Sequence, residues 1–192
     1  AKLISVRLRE AYFLGNLYLE RGRDYQAQGR YSEAQEMYKK AIALNSNNPV
    51  PYVDLAWCYN EEGTILEAGE TFKKAIAIKP KDYSIYIELG QFYQEHKRYP
   101  EAEAVLTKAL EVSAGNGMVY ISLGWCYGAQ GKYLQAEEAF RKAIAIKPNA
   151  KIGYTEFAQC YYANKGLYPQ TQEMRAKAEA HFDEVRRMTG HY

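Results

Sequence analysis

The sequence is poor in the residues that most often carry catalysis, metal binding or covalent cross-linking: it has 3 Cys and 3 His in 192 residues. His96, His181 and His191 stand at no metal-ligand spacing to one another or to a Cys pair, and neither a Gly-rich phosphate loop nor a nucleophile elbow occurs. The expectation is therefore a non-enzymatic protein with no metal and no cofactor. An odd set of thiols, Cys58, Cys126 and Cys160, makes no disulfide framework and favours reduced cysteines in a cytoplasmic compartment. Long apolar runs are missing too. Lys2, Arg7, Arg9 and Glu10 interrupt the N-terminal AKLISVRLRE, and the longest uncharged stretch, Ser113 to Gly131, contains five Gly together with Ser, Asn and Gln. Neither reads as a signal peptide or a membrane span. Charge of one sign is not in excess either: the net charge of +2 lies far from the basic balance of a nucleic-acid domain. With 47% hydrophobic and 25% charged residues, the chain has the composition of a folded, soluble protein.

What is abundant is tyrosine, 19 residues against 6 Phe and 2 Trp, which asks for a repeated position that wants an aromatic body with a polar tip. The chain is self-similar. YKKAIALNSNNP starts at Tyr38, FKKAIAIKPKD one period later at Phe72, and FRKAIAIKPNA two further periods on at Phe140. Phasing on that 34-residue period gives repeats over 15–48, 49–82, 83–116, 117–150 and 151–192 within a single domain, with an overhang of residues 1–14 and an 8-residue insertion in the last repeat.

Within this frame every repeat has Tyr at position 4 (Tyr18, Tyr52, Tyr86, Tyr120, Tyr154) and at position 11 (Tyr25, Tyr59, Tyr93, Tyr127, Tyr161). Position 8 is always small: Gly22, Ala56, Gly90, Gly124, Ala158. In the first four repeats Ala34, Ala68, Ala102 and Ala136 occupy position 20, Tyr38, Phe72, Leu106 and Phe140 position 24, and Ala41, Ala75, Ala109 and Ala143 position 27. Positions 4, 8 and 11 form one helical stripe and positions 20, 24 and 27 another, so each unit is a helical hairpin whose small residues let the two helices approach closely. Gly63 and Gly131 fall at the turn between the helices, where positive φ is cheap, and His96 falls at the same turn of repeat three. The three thiols all occupy position 10, where small buried side chains that cannot reach one another are expected.

These residues resemble the tetratricopeptide repeat, whose pattern is an aromatic, Leu-Gly/Ala, Tyr, then Ala-x3-Phe, Ala and Pro. The resemblance implies an all-α fold, a right-handed superhelical solenoid of helix-turn-helix repeats, used as a protein-binding scaffold. The ends depart from the pattern. Arg21 replaces Leu at position 7 of repeat one, yet Leu14-Gly15-x-x-Tyr18 echoes the signature two turns earlier, so the first helix should start well before Gly15. Tyr168-Pro169 reads as a helix start, and Ala178-x3-Phe182 comes late by the length of the insertion, which predicts a long C-terminal capping helix ending near Gly190.

In this family the first helix of each repeat lines a concave groove through positions 2, 5, 6, 9, 12 and 13. Here those positions hold Glu20, Asp54, Glu61, Glu88, Glu95 and Glu156 against one base, Arg23, so the set carries −5 in a chain whose total is +2. Four of the acids form a ladder at position 6. Trp57 and Trp125 stand in the ladder at position 9, each in a Trp-Cys-Tyr tripeptide, and uncharged repeat four adds Met118 and Ile121. An acidic surface with apolar anchors predicts a protein or peptide partner that is basic and itself apolar-anchored, and no nucleic-acid partner. The family's clamp for a peptide C-terminal carboxylate is absent, because its places hold Leu19, Arg23, Asp54, Ser84 and Glu88. Two rival readings are self-association, with the groove accepting a terminal helix of a neighbouring copy, and an adaptor part of a larger enzyme.

Overall fold

The computed structural model describes residues 2–146 and the isolated positions Ala176 and Ala180, with side chains from Arg9 onward. All its described secondary structure is helical, in the order α1 (Lys2–Ala27), α2 (Tyr31–Leu44), α3 (Val50–Glu61), α4 (Ile65–Ile78), α5 (Tyr83–Glu95), α6 (Tyr99–Val112), α7 (Gly117–Ala129) and α8 (Tyr133–Ile146). These are four hairpins on the repeat period, and Tyr52 to Ala68 and Tyr120 to Ala136 each lie within one of them, as expected. The first helix runs long: α1 has 26 residues, where the other described helices have 12 to 14. The expected capping helix, Cys160 and the fifth repeat lie outside the described residues.

The chain divides into two compact units, Ala1–Phe92 and Tyr93–Tyr192. In the first, α2 packs against both α1 and α3, and α4 packs on α3; in the second, α7 packs against α6 and α8. The close approach inside a hairpin has a direct cause. A methyl group added at Gly22 would lie 2.5 Å from the Tyr38 ring, and one added at Gly124 would lie 2.6 Å from the Phe140 ring. Position 8 is therefore the floor on which the position-24 ring rests in these two hairpins, and Tyr38 and Phe140 are wholly buried, as are Phe72 and Leu106 at the same position of the other two repeats. Three of the turns are closed by Gly29, Gly63 and Gly131 at φ 72°, 77° and 72°, and the third hairpin puts Lys97 into the same left-handed region at φ 56°.

A second buried stripe on the first helices is marked in the signature only by its Leu at position 7. Positions 3, 7 and 10 are buried in three successive repeats: Pro51, Leu55 and Cys58, then Ile85, Leu89 and Phe92, then Val119, Leu123 and Cys126. They face the preceding repeat. Phe92 stacks at 5.5 Å on Phe72 of α4, and the Cys126 thiol points at the Tyr99 carbonyl of α6. Cys58 and Cys126 are free and buried, and burial pushes the Cys58 thiol up to about 12 and raises Cys126 as well. The tyrosines have a different place. Tyr25, Tyr59 and Tyr127 are only half-buried, and cations cover their outer faces: Arg30 lies 4.4 Å from the Tyr25 ring, Lys39 5.4 Å from Tyr59 and Lys132 5.7 Å from Tyr127. At position 4, Lys40 covers Tyr18 at 5.8 Å and Lys142 covers Tyr120 at 5.9 Å. In these repeats the polar-tipped aromatic serves at the rim of the hairpin, between the core and a lysine or arginine, whereas Tyr86 and Tyr93 of the third repeat are buried.

Candidate functional site

The first unit brings four of the expected surface residues into two bonded pairs rather than a row of free carboxylates. Arg23 on α1 donates from Nε to Asp54 on α3 at 2.9 Å, and its Nη1 lies 3.4 Å from Glu20. Trp57 on α3 donates its indole N–H to the Glu88 carboxylate on α5 at 2.8 Å. Both long-range bonds span 31 residues, because each joins position 9 of one repeat to position 6 of the next. Position 9 thus supplies a donor and position 6 an acceptor across the repeat boundary. The signal was present in the sequence as Arg23/Asp54 and Trp57/Glu88 at one spacing, but it is invisible when each position is read separately. The same offset from Trp125 falls on Glu156, outside the described residues.

These bonds change the electrostatics. Asp54 keeps only 19% of its side chain exposed, and burial lifts its carboxyl above the ordinary range while Arg23 opposes that lift. Its charge is largely neutralised by its neighbour. Glu20 is exposed at the surface with Arg23 at its edge, and Glu61 is exposed too and accepts a long 3.5 Å bond from the Tyr31 hydroxyl. Glu88 is half-buried and tied to the indole, yet a carboxylate has acceptor capacity beyond one hydrogen bond. Trp57 is held on two sides: its ring meets Phe72 edge-on at 5.5 Å, and its nitrogen is fixed by Glu88. It is half-buried, so one part of the indole serves packing and the remainder is presented at a fixed angle.

In the second unit Glu95 is exposed at the end of α5. On α7, Trp125 repeats the edge-on packing of Trp57, meeting Phe140 at 6.5 Å and 85°. Met118 is 44% exposed, one residue into the helix whose N-cap Asn116 accepts the Met118 amide. Ile121 does not join them. It is 6% exposed and packs with Ala136, Phe140, Ala143 and Ile144, so its apolar side chain belongs to the hairpin core and not to a surface set. Position 5 fares the same on α5, where Ile87 is buried. Position 6 of this repeat is Ser122, buried and donating to the Met118 carbonyl at 3.1 Å, which leaves α7 without any charged group. Among the described residues no group of three His, Cys, Asp or Glu is placed to hold a metal ion, and no described helix is long and apolar enough to cross a membrane.

Comparison with known proteins agrees with this architecture. Two models of the tetratricopeptide repeat match residues 19–83 and 83–149. No curated protein sequence matches. Among solved structures, the fold is similar to MamA at 24% identity, with 93% of this chain and 96% of that chain covered and a TM-score of 0.66. It is also similar to Pseudomonas aeruginosa pilF, at 22% identity over 96% and 95% of the two chains with a TM-score of 0.65. TTC0263, a thermophilic repeat protein of Thermus thermophilus, aligns at 21% identity over 88% and 98% with a TM-score of 0.61.

Proposed function

Because the chain belongs to the tetratricopeptide-repeat family, an all-α helical-repeat solenoid whose members serve as protein-interaction scaffolds, we propose that it binds a basic, apolar-anchored peptide or helix through the first helices of its repeats. The observation that carries this reading is the Trp57–Glu88 pair: an indole fixed edge-on by Phe72 and tied at 2.8 Å to a carboxylate that can still accept. A partner's Arg or Lys fits the carboxylate, its methylenes or a neighbouring apolar residue fit the ring, and little side-chain entropy remains to be lost on binding. Glu20, Glu61 and Glu95 extend the negative field, and Trp125 with Met118 forms a second, uncharged contact. Asp54 acts through Arg23, orienting it, and Glu156 stands in the proposed set on its sequence position alone.

The test uses labelled synthetic peptides that carry Arg or Lys with Leu or Phe, beside counterparts in which the bases are replaced by Glu. Binding of the basic set, weakened by salt, is expected; preferential binding of the acidic set overturns the reading. Trp125→Ala should mainly speed dissociation. Glu88→Lys should slow association and flatten its salt dependence, and Glu88→Gln, which keeps a partner for the indole, should reproduce the loss of salt dependence without loosening Trp57.

A further inference from the structure

On α1, the face that other repeats bury is open. Positions 3, 7 and 10, buried against the preceding repeat on α3, α5 and α7, are in repeat one Leu17, Arg21 and Asp24, and all three are exposed. One helical turn earlier on the same stripe stands Phe13, which is 72% exposed, and Leu17 is 52% exposed. Two charged residues where Leu and Cys stand in repeats two and four do not suit another hairpin packed along the whole helix. Phe13 and Leu17 nevertheless form an apolar spot too large to be left to water without cost.

The order of charges around that spot identifies what covers it. Along α1 it runs Arg9, Glu10, then Phe13 and Leu17, then Glu20, Arg21. The helical wheel puts one acid and one base on each flank of the apolar stripe, one near each end, so the face is complementary to itself when the helix direction is reversed. We propose that α1 pairs antiparallel with α1 of a second copy across a two-fold axis between Phe13 and Leu17. Phe13 of each copy then lies on Leu17 of the other. Glu10 and Arg21 share one flank of the apolar stripe, and Arg9 and Glu20 share the other, as the helical periodicity of 3.6 residues per turn requires. A two-fold that reverses the helix brings like flank to like flank, so Glu10 meets Arg21 and Arg9 meets Glu20, each twice. The interface is isologous and closes at two copies. It differs from a groove that accepts a neighbour's terminal helix, which is head-to-tail and does not close by symmetry. It rests on different residues from the peptide-binding reading, Glu20 excepted, and stands or falls separately.

A single helix pair buries less than the roughly 1,600 Å² of a standard interface, so the dimer should be weak and depend on concentration. Sedimentation equilibrium of the 192-residue chain from micromolar to millimolar concentration is the measurement. A monomer–dimer equilibrium is expected, with Leu17→Glu monomeric throughout and its helical circular dichroism and melting unchanged, since position 17 is exposed. Glu10→Arg, which sets Arg against Arg21, should weaken the dimer about tenfold, and Glu10→Arg combined with Arg21→Glu should restore it. A chain that stays monomeric, a dimer indifferent to Leu17→Glu, growth beyond dimers, or a charge swap that fails to rescue would each overturn the pairing.

Discussion

The two compact units are built on one plan but polarised in opposite directions. In the first, Gln35 on α2 donates to Glu62 just beyond α3 at 2.5 Å. At the corresponding places two periods later, Glu103 on α6 accepts from Gln130, just beyond α7, at 3.4 Å and from Lys132 at 2.9 Å. Amide and carboxylate have changed sides while the link between helices is kept. The surfaces diverge further. Asp54 at position 6 of α3 is held by a salt bridge to Arg23, where α7 has the neutral Ser122 bonded to its own helix. Both units nonetheless seat a Trp edge-on against the position-24 Phe. The lesson is that the hairpin framework constrains positions 3, 7, 8, 10, 20, 24 and 27 and leaves the groups that a partner would meet free to vary.

The largest effects should come from testing the framework where it is tightest. Gly22→Ala and Gly124→Ala place a methyl within 2.5 Å and 2.6 Å of rings that are wholly buried and cannot swing aside, so each should cost about 1–3 kcal/mol despite the better helix propensity of Ala. Gly69 is the control. A methyl there would meet Phe92 at an ordinary 3.6 Å, so Gly69→Ala should stabilise by a few tenths to about 1 kcal/mol. Denaturant midpoints of the three variants decide the matter, and a harmless Gly124→Ala would mean that position 8 is not the floor of the hairpin.

The contrast at position 6 gives the next effect. Arg23→Met leaves Asp54, only 19% exposed, without its cation and should cost about 1–2 kcal/mol. Adding Asp54→Asn should recover most of that loss, because the remaining group is uncharged. Ser122→Ala in the second unit removes only a local bond to the Met118 carbonyl and should be nearly neutral. Equal costs at Asp54 and Ser122 would erase the difference drawn between the units. A smaller gain is expected from Lys97→Gly. The other three turns already have Gly at that place, and relieving φ 56° should stabilise by about 0.5–1 kcal/mol in the same assay.

Most of the fold was legible in the sequence, since a fixed repeat period dictates where helices start and which residues share a stripe. Gly22 and Gly124 at position 8 and the buried thiols Cys58 and Cys126 were read correctly for the same reason. Two things were not. Ile121 looked like a groove residue because position 5 was assigned by analogy, but its side chain leans into the Phe140 cluster. The acids at position 6 looked like a free ladder because each position was read by itself, whereas Arg23–Asp54 and Trp57–Glu88 pair at 31, an offset that only the stacking of repeats creates. The open stripe of α1 was half visible as Arg21 in place of Leu. Its meaning needed the burial of Leu55, Leu89 and Leu123 for comparison.

The smallest predicted effect isolates the exchanged polar link. The Lys132 ammonium, with Gln130 beside it, holds the Glu103 carboxyl below the usual carboxylate range, and Glu103 in turn raises Lys132. For a carboxyl whose folded value is depressed, the unfolded chain takes up its proton first on acidification. The stabilisation is therefore present at neutral pH, begins to decline as pH falls through the ordinary carboxylate range and is gone below the folded value. Both side chains are about a third exposed, so the contribution is under about 1 kcal/mol and shrinks with salt. Stability measured against pH should thus lose part of its acid limb in Glu103→Gln, with no matching change in Ser122→Ala, whose hydroxyl bonds only to the Met118 carbonyl and does not titrate. An acid limb that survives Glu103→Gln intact would show that the carboxylate in the second unit is as dispensable as the amide that replaces it in the first.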